Sequence, residues 1–236
     1  MIKQTIYYCL FFTISLTTVR SQNSVNQYDN DGKRHGLWTK NYHKTDQVRY
    51  RGVFRHGKEI DTFKYFTLSE GKSVLSATKV FNQKDNLSDV IFYASNKKVI
   101  SEGQMNGRDY VGQWIYYHKN SDAKMIVENY NSKGELDGER IVYYKDGAIA
   151  EKTSYKNGKL DGEAKWYSEQ KLCYRTSQYE NDQLNGLTAY FDNKGKLSSQ
   201  GHYKDDQKAG LWTYYEDGKL KKEIDHTNNI VVKKYE

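Results

Sequence analysis

The side chains here that could do chemistry are six histidines, two cysteines and a recurring set of carboxylates. The histidines are His35, His43, His56, His118, His202 and His226. None stands at a short zinc-binding spacing from another His or Cys, and Cys173 has no cysteine near it. His35 and His56 are close to one repeat length apart, so stacking would bring them near each other. Both also read as turn-edge residues ahead of Gly36 and Gly57. Two triplets, Asp137-Gly138-Glu139 and Asp161-Gly162-Glu163, recur in the same order. A hydrolase uses two carboxylates across a cleft, but a sheet that repeats its turn stacks them in a row along one edge. Glycines recur singly as turn formers, with no phosphate-cradling loop. These spacings predict no catalytic residue, no metal site and no cofactor.

The aromatic residues are the better lead. Trp38, Trp114, Trp166 and Trp212 read as equivalent positions, with Tyr116 and Tyr214 two residues past Trp114 and Trp212. Such rings on a curved sheet can stack on sugars or grip an extended partner. They can equally be the packing layer of a thin fold. Trp38, Trp114, Tyr116, Trp166, Trp212 and Tyr214 are therefore the candidate binding-face residues.

Composition says what must hold them. Hydrophobic residues make up only 36% of the 236 residues, but 22 Tyr, 8 Phe and 4 Trp compensate. Tyrosine in that role suits half-exposed packing, because its hydroxyl needs water or a partner. There is no proline, as suits unbroken β ladders. The net charge of +7 is interspersed, with no like-charge block long enough for a phosphate-binding stripe. No nucleic-acid partner is expected.

Residues 1–21 read as a secretory signal peptide: Lys3, an apolar run from Thr5 to Leu16, then Val19-Arg20-Ser21 ahead of Gln22. The run is shorter than the roughly 20 residues that span a bilayer, so no stable transmembrane segment is expected after cleavage; the other reading of the run is a short N-terminal membrane anchor that stays uncut. Cleavage would leave Cys173 alone and exclude an internal disulfide. The expected location is the periplasm, the cell surface or the medium.

Paired aromatics set the organisation. The second rings fall at Tyr42, Phe66, Tyr93, Tyr117, Tyr144, Tyr167, Phe191 and Tyr215, with gaps of 24, 27, 24, 27, 23, 24 and 24 residues. A glycine precedes most pairs: Gly36, Gly112, Gly138, Gly162, Gly186 and Gly210. Asp146-Gly147, Asp217-Gly218, Asn157-Gly158 and Asn106-Gly107 are tight-turn signals. Between turns the side chains alternate, so Trp212 and Tyr214 share one face while Leu211, Thr213 and Tyr215 share the other. Leu197, Ser199, Gly201 and Tyr203 likewise read as one face. The reading is all-β: a linker at 22–31, about eight hairpin repeats over 32–227, and a tail at 228–236. Sixteen strands of about 5–7 residues would form an open, elongated antiparallel meander. The extra residues in the longer units enlarge a loop or make a bulge. The lysines of the tail would blunt one sheet edge.

The run Tyr143-Tyr144-Lys145-Asp146-Gly147, Glu151, Tyr155, Asn157-Gly158-Lys159-Leu160-Asp161-Gly162, echoed by Lys133-Gly134-Glu135-Leu136-Asp137-Gly138, carries a resemblance. The chain resembles the MORN-repeat proteins, and more closely the bacterial variant found in YwqK-family antitoxins. The resemblance is strong over 103–222 and weak over 52–90. It implies successive β-hairpins in a curved sheet, association with a protein or a membrane, and no catalytic residues. The function expected is a non-enzymatic scaffold for an unknown protein or envelope partner. The alternatives are a carbohydrate- or cell-wall-binding module and an antitoxin-like inhibitor of a protein.

Overall fold

A computed structural model describes residues 24–82 and 84–236, which form eighteen strands and no helix. The proposed leader lies outside the described residues. No helix among the described residues is long and apolar enough to cross a membrane. The first strands are β1 (Gln27–Tyr28), β2 (Arg34–Asn41), β3 (Val48–Arg55), β4 (Lys58–Ser69), β5 (Lys72–Phe81) and β6 (Leu87–Tyr93). Then come β7 (Val99–Asn106), β8 (Asp109–Tyr117), β9 (Lys124–Tyr130), β10 (Gly138–Tyr143), β11 (Ile149–Lys156) and β12 (Lys159–Tyr167). The last are β13 (Cys173–Glu180), β14 (Gln183–Phe191), β15 (Leu197–Lys204), β16 (Gln207–Glu216), β17 (Lys219–Asp225) and β18 (Ile230–Lys234).

Every strand pairs antiparallel with the next, from β1–β2 through to β17–β18. The result is one open meander. At about 4.8 Å per ladder step, seventeen steps give a sheet on the order of 80 Å along the hydrogen-bonding direction. β2 to β17 are eight two-strand units, and β1 and β18 flank them inside the regions read as linker and tail. The strands run longer than anticipated: β4 reaches 12 residues and β5 reaches 10. This long hairpin absorbs the extra residues between Phe66 and Tyr93. Those before Tyr144 enlarge the connection between β9 and β10, where Asn131–Asp137 replaces a tight turn.

A bulge recurs at the end of each ring-bearing strand and aims two successive rings differently. Tyr214 faces Lys222 and Tyr215 faces Leu220, leaving Lys221 extra on the partner strand. The same shift pairs Tyr190 with Ser199 and Phe191 with Leu197, which takes Leu197 off the face shared by Ser199, Gly201 and Tyr203. The bulge also corrects the alignment of two rings. Asn41 and Tyr143 stand where Phe191 and Tyr215 stand, so Tyr42 and Tyr144 lie one residue further on. That further position fastens repeat to repeat. The Tyr42 hydroxyl donates to the Phe66 carbonyl at 2.7 Å, and the Tyr144 hydroxyl to the Tyr167 carbonyl at 2.7 Å. His118 Nε2 lies 3.0 Å from the Tyr143 carbonyl in the same manner.

Candidate binding face

Cross-strand partners share a face of a sheet, so the registers define rows that cross all the repeats. One row is the core. It holds Trp38, Gly52, Phe63, Lys79, Val90, Gly103 and Trp114, then Glu128, Arg140, Thr153, Ala164, Ser177, Thr188, Gly201 and Trp212. Trp114, Trp212 and Phe63 are completely buried in it, and Trp38 nearly so. A single sheet can bury rings this well because Phe63, Trp114 and Trp212 each lie over a glycine of the preceding strand. A Cβ on Gly52, Gly103 or Gly201 would overlap the ring of Phe63, Trp114 or Trp212. The indole N–H then reaches the carbonyl just past that glycine: Trp114 Nε1 to Gln104 at 2.8 Å, and Trp212 Nε1 to His202 at 3.0 Å. Where the ring is missing, the opposing glycine is missing too. Thr153 faces Ala164, while Ser177 faces Thr188 with a 3.1 Å hydrogen bond from Thr188 Oγ1 to Ser177 Oγ.

The neighbouring row on this face is half-exposed apart from the buried Ala77 and Ser101. It runs Tyr50, Tyr65, Ala77, Phe92, Ser101, Tyr116, Ile126, Val142, Glu151, Trp166, Arg175, Tyr190, Ser199, Tyr214 and Lys222. Trp166 belongs here. Its place in the repeat is that of Tyr116 and Tyr214, two residues beyond that of Trp38, Trp114 and Trp212. Sequence inspection grouped the four tryptophans because it matched residue type and not distance from the glycine. Ala164 holds the core place in that repeat. Of the six candidate residues, Tyr116, Trp166 and Tyr214 present partly exposed rings, and Trp38, Trp114 and Trp212 are packing.

Cations interleave with the exposed rings. The Arg175 guanidinium sits 4.6 Å from the Trp166 ring and 5.6 Å from Tyr190, and Lys222 Nζ sits 4.9 Å from Tyr214. Such pairs hold the rings at about 0.5–1 kcal/mol each. On the far side of the core row, Tyr130, Tyr155, Tyr179 and Tyr203 recur opposite the bulge glycines Gly112, Gly138, Gly162 and Gly186. Those glycines have φ of 65°, 102°, 110° and 114°, which a side chain rarely adopts. The carboxylate triplets prove structural. Asp137 accepts the Asn157 N–H at 3.1 Å, and Glu139 and Glu163 pair with Lys152 and Lys165 at 2.6 and 2.8 Å. His35 and His56 do meet, with ring centroids 5.0 Å apart.

The concavities are open and shallow. One depression of about 670 Å³ lies among Lys156, Asn157, Asp161, Tyr179 and Asn181, and it is polar. Burial, and then the Lys208 ammonium, hold His226 below the usual imidazole range; its Nε2 is 2.8 Å from the Tyr214 hydroxyl.

A family model described as the MORN repeat variant matches residues 136–157, 184–205 and 210–229. The chain carries MORN-variant repeats. No curated protein matches it. The three matched MORN segments each span a ring-bearing strand and the strand after it: β10–β11, β14–β15 and β16–β17. The unmatched units pair in the same antiparallel order. MORN repeats are binding modules and a non-catalytic repeat family.

The tyrosine-rich sheet has a titration consequence. Burial, and then a hydrogen bond to Glu102, push the Tyr117 phenol up to about 12. Burial and the Tyr190 hydroxyl push Tyr203 up to about 12. Tyr65 beside Glu59 and Tyr130 beside Glu128 are raised as well, again mainly by burial. The unfolded chain releases these protons near pH 10 while the folded chain keeps them. Their stabilisation is therefore whole below about pH 10 and is lost as pH rises through about 12. Melting temperature should fall steadily across that window. Absorbance at 295 nm should show two tyrosine classes, the later ionising with unfolding; one class titrating near pH 10 would contradict this.

Proposed function

We propose that the chain is a non-enzymatic scaffold that holds an extended protein partner against its half-exposed aromatic row. The observation carrying this reading is the row itself, with Tyr116, Trp166, Tyr190 and Tyr214 half-exposed on one face, Arg175 between Trp166 and Tyr190, and Lys222 beside Tyr214. Successive repeats are about 10 Å apart along the sheet, two ladder steps each. That distance is about three residues of extended peptide, so a chain laid across the strands would meet a ring or a cation at regular intervals. Affinity would then accumulate over many shallow contacts, which suits the open depressions better than enclosure of a small molecule.

Rings at such intervals also suit sugar stacking, and this favours envelope polysaccharide as the second reading. The leader motif supports export, so the partner is sought in the envelope; N-terminal sequencing of the purified protein should read from Gln22 or close to it. The deciding experiment is capture from envelope extracts with the native chain and with a Tyr116→Ala/Trp166→Ala/Tyr214→Ala variant. The variant should keep the fold, because these rings are outside the core row, and should retain at most about a tenth of the partner. Equal capture by both proteins would sink the assignment of this face. Capture of polysaccharide alone would transfer it to the second reading. Hydrolase substrates should show no turnover above background.

A further inference from the structure

We propose that Asp29, His35 and His56 form a binding site for a divalent transition-metal cation of the zinc class. Each side chain offers one ligand atom, and the three atoms lie within 4.8 Å of one another. Among the described residues this is the one such group of three or more. Tetrahedral zinc with nitrogen and oxygen ligands at about 2.0–2.2 Å holds those atoms about 3.3 Å apart. The contraction needed is therefore on the order of 1.5 Å, and both imidazoles are exposed and free to swing.

The carboxylate is already positioned. Asp29 Oδ1 accepts the backbone N–H of Asp31 at 3.0 Å and of Lys33 at 2.8 Å. The turn closes on itself through Asp29 N–H to the Lys33 carbonyl at 2.8 Å. Oδ2 alone remains, 2.7 Å from His56 Nδ1, and the Asp29 side chain is only 11% exposed. His56 occupies a tight turn at φ 48°, tied to β2 by the Gly57 N–H donating to the Arg34 carbonyl at 2.9 Å. His35 is the next residue along β2. The nearest guanidinium is turned away, since Arg34 lies 5.1 Å from both the Trp38 and the Phe54 rings. Lys33 is drawn towards Asp31 at 3.8 Å.

Ligand type selects the metal. Two imidazoles and one carboxylate suit zinc, nickel or copper, whereas magnesium and calcium want oxygen alone. Three protein ligands leave a fourth place for water or a donor from another molecule. The ligands come from three segments: the turn after β1, the strand β2 and the β3–β4 turn. A cation here would fasten the N-terminal edge, where β1 is held by two register pairs only. Cys173 is the one cysteine among the described residues, so no disulfide can do that work there.

The test is titration of the full chain, free of any histidine tag and stripped by chelator, with zinc sulfate near pH 7.5 followed calorimetrically. One zinc per chain should bind, and the melting temperature should rise with zinc concentration. Cobalt should give the visible absorption of a four- or five-coordinate site. His35→Ala, His56→Ala and Asp29→Asn should each weaken zinc by at least about tenfold, and the double His variant should abolish binding. Asp29→Asn keeps the Oδ1 acceptor and hence the turn, and circular dichroism of the metal-free variants confirms the fold. His202→Ala should change nothing. Absence of stoichiometric binding at about 0.1 mM zinc, or binding undiminished in the double variant, would overturn the proposal.

Discussion

Alanine at Gly201 is expected to cost about 3 kcal/mol of folding stability, at the upper end of what overpacking a core does. The reason is steric and not conformational. Gly52, Gly103 and Gly201 are the glycines of this chain whose φ is not positive, and they are also the ones with an aromatic ring where Cβ would stand. Added methyls must displace Trp212, which has no room to move, being fully buried with Tyr190, Tyr203, Tyr214 and His226 around it. Trp212→Ala should cost about 3–5 kcal/mol by leaving a void above the glycine. The informative variant is the pair Gly201→Ser with Trp212→Thr, which copies the Ser177 and Thr188 arrangement one repeat earlier. Its loss should be smaller than the sum of the single losses by about 1–3 kcal/mol, the coupling typical of residues in contact. Urea unfolding measures all of these, with Ser199→Ala as the neutral control on the same strand. Strict additivity would mean that ring and glycine are not one packing unit.

That unit explains both how far the sequence could be read and where reading stopped. Period, hairpins and open meander were legible because turn glycines and doubled rings recur in the chain itself, at positions such as Gly210 and Tyr214-Tyr215. The core row was not. Its signal is a glycine eleven residues ahead of a ring, as in Gly52 and Phe63, Gly103 and Trp114, or Gly201 and Trp212. Ser177 with Thr188 and Thr153 with Ala164 keep the spacing and exchange the residue types, which hides the pattern from a search by type. Trp166 was misplaced for the same reason. The bulge before the second ring shifts the alignment of Tyr42 and Tyr144 by one, and no residue type announces a bulge of this kind. The meeting of His35, His56 and Asp29 depends on the turn at Asp29–Lys33, whose hydrogen bonds are a property of the folded loop. The half-exposed row was legible in part, through Tyr116 and Tyr214, because alternation alone places them beside the buried tryptophans.

At Glu128 and Arg140 the core row is filled by opposite charges and not by a ring or a small residue, and this is the second site of large expected effect. Arg140 Nε donates to Glu128 Oε1 at 3.0 Å, and Arg140 Nη1 to Glu151 Oε1 at 2.8 Å. The three side chains are 21%, 12% and 29% exposed, and Tyr130 donates to the second Glu128 oxygen at 2.7 Å. These contacts span a thin interior junction of the sheet. β9 and β10 share the register pairs Ile141–Val127 and Val142–Ile126, and beyond them the Asn131–Asp137 connection leaves the Tyr130–Leu136 bridge and the Asp137 N–H bond to the Asn129 carbonyl at 2.8 Å. The guanidinium thus bridges the half ending at β9 and the half beginning at β10. Removing one partner of such a cluster leaves charge without compensation, at about 3 kcal/mol or more in buried settings, somewhat less here given the residual exposure. Arg140→Met should therefore cost about 2–3 kcal/mol, with Arg140→Lys intermediate because it keeps the charge but loses the planar fork. In an array whose stability resides in contacts between neighbours, weakening one interface uncouples the segments on either side. Urea unfolding of Arg140→Met should then resolve into two transitions in place of one, and hydrogen exchange should show β9 and β10 losing protection first. A single transition at the native midpoint would show that the two halves are coupled through the backbone ladder alone.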